Sequence, residues 1–273
     1  MAKYLVTNAD DFGFTRDVNS GIVEAHTKGI LTATTLMANG EAFEDAVRLA
    51  EEHPDLDIGC HLVLVGGRSL LGQRLPFPAT TFELARKVYA GNIVIYDELA
   101  AQVQRIVSAG IQPTHIDTHK HTHILPPVLR ALCAVAREFR IPWVRLPVDY
   151  PMPQRGAFSQ HMAGLVMRRF SPSIAKTVAT NQLKQTDHFL GFSVTGRLDD
   201  RMLAAMMPHV PEGSTELMVH PGHLRDELRN APTRLKESRE LELKALTSPS
   251  VRDALTAAGV ELVNYRQLDQ IYP

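Results

Sequence analysis

The sequence predicts an α/β fold in which parallel strands close into a (β/α) barrel. Short apolar, β-branched runs alternate with amphipathic helical patterns from end to end. Eight of these runs read as strands, and ionisable residues gather toward the strands' carboxyl ends. Strands interleaved with helices pair in parallel through βα units, which leaves a doubly wound sheet or a closed barrel. Eight strands favour the barrel, and both architectures build their active sites at the carboxyl ends.

The runs are, in order, KYLVTNA from Lys3, TATTLMAN from Thr32, LDIGCHLVL from Leu56, THIDTH from Thr114, WVRLP from Trp143, HFLGFS from His188, TELMVH from Thr215 and ELVNY from Glu261. Their β-branched and aromatic side chains suit a pleated, buried surface. Between them, EAFEDAVRLAEEH, DELAAQVQRIVSAG, PPVLRALCAVAREF and DDRMLAAMMPHV place apolar residues at three- and four-residue spacing, the stripe of a helix packed on one face. Two stretches break the rhythm. Residues 65–80 carry three glycines and two prolines, and 148–187 hold a Pro-rich loop followed by the basic, partly helical HMAGLVMRRFSPSIAK. Both read as excursions from the barrel. With no repeat, low-complexity tract or linker, residues 1–273 are expected to form a single domain.

Charge and composition exclude several classes of function. Lys plus Arg total 29 against 30 for Asp plus Glu, so there is no basic field to draw in nucleic acid or an anionic membrane. Cys60 and Cys133 are too few for a disulfide scaffold and sit in apolar surroundings, where a buried free thiol in a reducing cytoplasm is the plain reading. The amino terminus lacks the apolar core of a signal peptide, and no run approaches about 20 apolar residues. A cytoplasmic protein without a membrane span is expected. Nothing in the sequence decides its oligomeric state; a homodimer, the commonest soluble assembly, is the default.

THIDTHKHTH, residues 114–123, sets four histidines and one aspartate at odd positions. Residues two apart on a strand share a face, so one side carries groups that are costly to bury. His115 and His123 would lie about 26 Å apart on a continuing strand, so one ion cannot hold them all. His119, at the strand's carboxyl end, is the expected ligand. His115 and Asp117 are candidates for orienting a ligand, and His121 and His123 fall in the following loop with no assigned role. The plain alternative is a group of hydrogen-bonded core or surface histidines.

NADDFG places Asp10 and Asp11 at the end of the first strand, where two ionised carboxylates in one dry site call for a cation. One can bind metal while the other acts as a base; otherwise Asp10 begins a turn and Asp11 caps a helix. The DFG tripeptide also occurs in protein kinases, but no Gly-rich loop with VAIK and no HRD accompany it. His61 in IGCHLVL needs a buried partner, and a metal shared with Asp11 and His119 would supply one, as would a backbone carbonyl. Two imidazoles and a carboxylate with open positions make a catalytic rather than a structural site. In TELMVHPGH, His220 is the better-placed general acid, while His223 reads as a solvated loop residue. Arg145 in WVRLP either faces the carboxylates and holds Asp10 ionised, or makes a surface ion pair.

At these residues the chain resembles the YdjC-like carbohydrate deacetylase family. NADDFG, VNSGIVEAHTKGILTATTLMANG, IGCHLVL, PTHIDTHKHTH, VRLP, HPG and TRLKESRELELKAL carry the likeness along almost the full length. It implies a distorted TIM-like barrel that removes acetyl groups from N-acetylated amino sugars with one divalent ion, magnesium first and zinc next. Asp10 would be the base, Asp11, His61 and His119 the ligands, and His220 the acid. THKHTHILPPVL and TRLKESRE are similar to the hopanoid biosynthesis-associated branch, which implies an acetylated amino-sugar head group on a hopanoid. Such a substrate would bring the protein transiently to the inner membrane surface, through the Met- and Arg-bearing 160s. Lys120 and Ser69 depart from the residues common in chitooligosaccharide-acting relatives. The rival functions are a two-metal phosphoesterase on a similar barrel and a metal-dependent sugar-binding protein without turnover.

Overall fold

The structure, a computed structural model, describes residues 2–71, 76–153 and 158–273, with the backbone alone for 158–166. All eight expected strands form: β1 (Lys3–Phe12), β2 (Ala33–Leu36), β3 (Asp57–Leu62), β4 (His115–Thr118), β5 (Trp143–Val144), β6 (His188–Leu190), β7 (Gly213–Val219) and β8 (Val260–Leu262). Every strand pairing is parallel, in the order β5-β4-β3-β2-β1-β7-β6. β8 pairs with Lys3–Leu5 of β1, and β2 pairs with the same strand from Asn8 onward. The sheet curls until its two edges meet through isolated bridges, Trp143 with Lys184 and Asp149 with Phe189. The result is the barrel that the strand count favours, in the distorted TIM-like form that the family resemblance implies.

Helices Phe43–Glu52, Tyr96–Ser108, Pro126–Glu138 and Asp200–Met206 form where the spacing predicts them, and with Arg16–Lys28 they cover the outside. Their apolar stripes meet Leu5, Ala9, Phe12, Leu36, Cys60 and Ile116 in the main core. Cys60 and Cys133 are buried free thiols. The loop after β3 is clamped by Gln102, which bonds both the N–H and the carbonyl of Val63 at 2.8 Å, and by Glu98, which accepts from Leu70 N at 3.1 Å and from the Ser69 hydroxyl. Ser69 therefore shapes a loop. Between β5 and β6 runs the helix Phe158–Thr180, with Pro172 inside it. Residues 72–75 and 154–157 of the two expected excursions, and the side chains of 158–166 expected to meet a membrane, lie outside the described residues. No described helix is long and apolar enough to cross a membrane.

Side chains on the inner strand faces fill the barrel in layers. At the amino end Val6, Ala33, Trp143, Val263, Tyr265 and Leu268 form a small apolar cluster. Above it the interior turns polar. His115 stacks on Tyr265 at 4.0 Å between ring centroids and bonds Asn8 Oδ1 through Nε2 at 2.8 Å. Gly59 on the next strand makes room for this ring, since a Cβ there would lie 2.6 Å from it. The polar layers continue to the carboxyl end, where the site lies.

Helix Arg16–Lys28 reaches the turn after β7 at a contact between two glycines: a Cβ on Gly21 would stand 2.5 Å from the Gly222 Cα. Gly21→Ala is therefore expected to cost roughly 1–3 kcal/mol by overpacking and to displace the turn that begins at His220. Denaturant unfolding of this variant measures the loss; wild-type stability would show that the two backbones can part freely.

Candidate active site

Asp10 and Asp11 would point to opposite faces of a regular strand. β1 is not regular here. Its register on β2 runs from Ala9 opposite Thr34 to Phe12 opposite Leu36, so three steps on one strand match two on the other. Asp11 takes φ 72°, a left-handed conformation that aspartate tolerates better than most side chains. This bulge turns both carboxylates toward His61. Asn19 secures the bend beyond it, accepting from Gly13 N at 2.6 Å and donating to the Ala42 carbonyl at 3.1 Å.

Asp11, His61 and His119 converge as the spacing predicts. Asp11 Oδ1 lies 3.3 Å from His61 Nε2 and 3.1 Å from His119 Nδ1, and the two nitrogens are 3.2 Å apart. Three donors each about 2.0–2.2 Å from one ion would stand roughly 3.0–3.6 Å from one another, so the set fits a divalent cation. Asp11 Oδ1 is also buried without a well-directed hydrogen bond. Asp117, paired in register with His61, meets its Nδ1 at 2.6 Å. With that carboxylate as acceptor, Nδ1 carries a proton, and Nε2 is the nitrogen turned toward the other two donors, free to ligate an ion once its own proton leaves. Burial works against charge on this imidazole, but Asp117 and then Asp10 prevail and hold its pKa well above the ordinary histidine range.

Arg145 lies one residue past β5 rather than within it, still donating its backbone N–H to the Ile116 carbonyl at 3.2 Å. It is buried, so the surface ion pair is excluded. Its guanidinium bonds both oxygens of Asp10 at 2.7 and 2.9 Å, donates from Nε to Glu216 at 2.7 Å and closes on Asp117. Burial would raise the Asp10 carboxyl, but Arg145 overrides it and keeps the pKa well below the usual range. Asn8 donates to Asp10 at 3.2 Å and is itself held by His115. His115 touches none of the expected ligands, so the orienting role considered for it is not seen, whereas Asp117 stands in that position.

His220 follows β7 directly, its Nε2 3.9 Å from Asp10 Oδ2 and its Nδ1 3.9 Å from Glu242 Oε2. Burial lowers its pKa to about 4, with Asp10 opposing, so the imidazole is neutral near pH 7. Glu242 accepts the His220 backbone N–H, and burial raises this carboxyl to about 7. His223 turns away to Glu24 at 3.1 Å. The remaining histidines of the cluster leave the strand face because the chain tightens into the 3-10 turn His119–Ile124, with Lys120 at φ 54° and His121 at φ 51°. His123 bonds the Thr118 hydroxyl at 2.7 Å and the Arg145 carbonyl at 3.1 Å, which makes it a brace for the turn. His121 is buried against Phe189 and Phe192.

Three charged residues of the site escape the sequence reading. Glu216 alternates with Met218 and His220 along β7, a visible period-two signal for one shared face. Arg239 and Glu242, three apart on helix Glu237–Leu246, share a helix face, but a charged face ordinarily meets solvent.

The geometry is that of a barrel with a candidate metal centre at the carboxyl ends of its strands, the arrangement of hydrolytic sites. Residues 4–257 match the family model for YdjC-like protein, and the chain belongs to that family. It is 35% identical over 269 residues to a carbohydrate deacetylase of Brevibacillus brevis, covering 97% of this chain and 99% of the relative. A carbohydrate deacetylase of Geobacillus stearothermophilus is 34% identical, with 98% of each chain covered. Among solved structures, a candidate cellobiose-phosphate cleavage protein from Enterococcus faecalis V583 superposes with a TM-score of 0.78 at 24% identity, covering 98% of this chain and 99% of that one.

Because His61 holds a proton in the ion-free site, and a ligating imidazole must give it up, zinc or magnesium is expected to release protons on binding near pH 7. Affinity should rise with pH across that range. Calorimetry in two buffers of different ionisation enthalpy measures the release; equal heats would place the proton elsewhere.

Proposed function

We propose that the protein hydrolyses the N-acetyl group of an acetylated amino sugar and releases acetate. The observation that carries this reading is the convergence of Asp11, His61 and His119 beside an Arg-held Asp10 and a separate His220. The named activity of the relatives supplies the substrate class. Asp11, His61 and His119 hold one divalent ion in this reading, and a bound ion would polarise the acetamide carbonyl and make an attacking water more acidic.

Asp10 is the base. Arg145 keeps it ionised inside a dry site and makes it a weak base, one that takes a proton only from an acidified water. His220 starts neutral, so the proton that it delivers to the departing amine is the one Asp10 takes from the water, passed on to Nε2, which lies 3.9 Å from Asp10 Oδ2. Glu242 fixes the His220 backbone and thus the line from this imidazole to Asp10. The second convergent group, Asp10 with His61 and Asp117, already has the Arg145 cation between its carboxylates, which favours a one-ion hydrolase over a two-metal phosphoesterase. Within the class, the THKHTHILPPVL and TRLKESRE motifs favour an acetylglucosaminyl hopanoid, met from the cytoplasm at the membrane surface, over a chitooligosaccharide. Magnesium is the ion that the resemblance implies, and zinc is the next.

Metal-stripped protein resupplied with magnesium or zinc should release acetate from one of these two substrates. His119→Ala should abolish turnover, and His220→Ala should lower kcat roughly 10²–10⁴-fold with ion affinity nearly unchanged. Acetate and phosphate assays on the same samples check this. Bound metal with no acetate from either substrate would overturn the reading, and unchanged turnover in His220→Ala would remove that residue from the mechanism.

A further inference from the structure

We propose that Arg239 is a positioning residue that restricts Asp11 to one metal-binding oxygen and so holds down the site's affinity for hard, oxygen-seeking ions such as magnesium relative to zinc. The proposal rests on the ion-binding reading above. The Asp11 carboxylate is divided between two tasks. Oδ2 is closed by the Arg239 guanidinium, while Oδ1 faces the imidazoles of His61 and His119 at 3.3 and 3.1 Å. An aspartate with both oxygens free can grip an ion bidentately or pivot to hold a coordinated water. With a guanidinium on Oδ2 it can do neither, and part of its charge is cancelled. Magnesium depends on oxygen donors and charge, whereas zinc is well served by imidazole nitrogen.

Arg239 is held too firmly to release this oxygen. The residue is 1% exposed, and its Nε donates to the Leu235 carbonyl at 3.3 Å. Its own carbonyl accepts the Gly222 N–H at 3.2 Å. The side chain lies over Gly222, where a Cβ would come within 3.3 Å of the Arg239 Cδ, and its guanidinium carbon stands 6.0 Å from the centre of the Phe14 ring. Nη1 is buried with no hydrogen bond to the described residues. The guanidinium is thus not placed to maximise its own bonding, and its placement commits it to Asp11.

The test uses the full chain, stripped of metal, in wild-type, Arg239→Gln and Arg239→Lys forms. Magnesium and zinc affinities are measured separately, and the visible absorption of bound Co²⁺ reports coordination number. Arg239→Gln should bind magnesium about tenfold more tightly, with zinc affinity changed less and the Co²⁺ bands weakened toward higher coordination. A residue that merely stabilised the fold would weaken both ions together on removal, so magnesium affinity equal to or below wild type overturns the proposal. Should Arg239→Gln fail to fold, Arg239→Lys carries the test: its single donor loosens Oδ2, a Co²⁺ spectrum shifted the same way is expected, and a wild-type spectrum overturns the proposal. Wild-type protein that binds none of the three ions would instead remove the ion-binding reading itself.

Discussion

A guanidinium buried inside the barrel is the constraint on which the site depends. Arg145 joins Asp10 of β1, Asp117 of β4 and Glu216 of β7 around one cation, so strands on different sides of the barrel are tied through charge. Any of these carboxylates alone in the interior would be costly, and breaking such a buried pair typically costs about 3–5 kcal/mol. The same cation keeps Asp10 ionised. Through Asp117 it also reaches His61, because the carboxylate that Arg145 holds is the one that orients the imidazole. Stability and chemistry are therefore not separable at this residue.

Two backbone features then decide what the charges can do. The bulge in β1 brings adjacent aspartates to one site, and division of labour follows from their partners: Arg145 takes both oxygens of Asp10, whereas Arg239 takes only one of Asp11. The glycine contact between Gly21 and Gly222 lets the turn bearing His220 settle against helix Arg16–Lys28, and Gly222 in turn leaves space for Arg239. Among the donor residues His119 has a side chain 25% exposed, against 1% for His61. The centre is open on the His119 side, where a polar substrate can approach, and closed toward the barrel interior.

The histidine-rich segment shows where local pattern stops being informative. Its odd-position spacing correctly marks one face through His115, Asp117 and His119, because a strand repeats every two residues. The pattern fails at Lys120 and His121, whose left-handed backbone ends the repeat and sends His121 and His123 into packing and bracing roles. No alternation could announce this, since neither residue is a glycine that would advertise the turn. Arg239 and Glu242 are obscured differently. They lie on a helix rich in charge, and only the packing of distant segments, the turn after β7 and the end of β1 among them, covers their face.

By itself the sequence determined the alternation of strands and helices, the barrel, and the presence of carboxylates and imidazoles at the strands' carboxyl ends. These are properties of periodicity and residue type, which act within a few positions of the chain. Only the tertiary structure decided which charge meets which. His61 and Asp117 are separated by 56 residues, Asp10 and Arg145 by 135, and Asp11 and Arg239 by 228. Pairings at such separations are set by how the barrel closes and by where burial makes an unpaired charge too costly to keep.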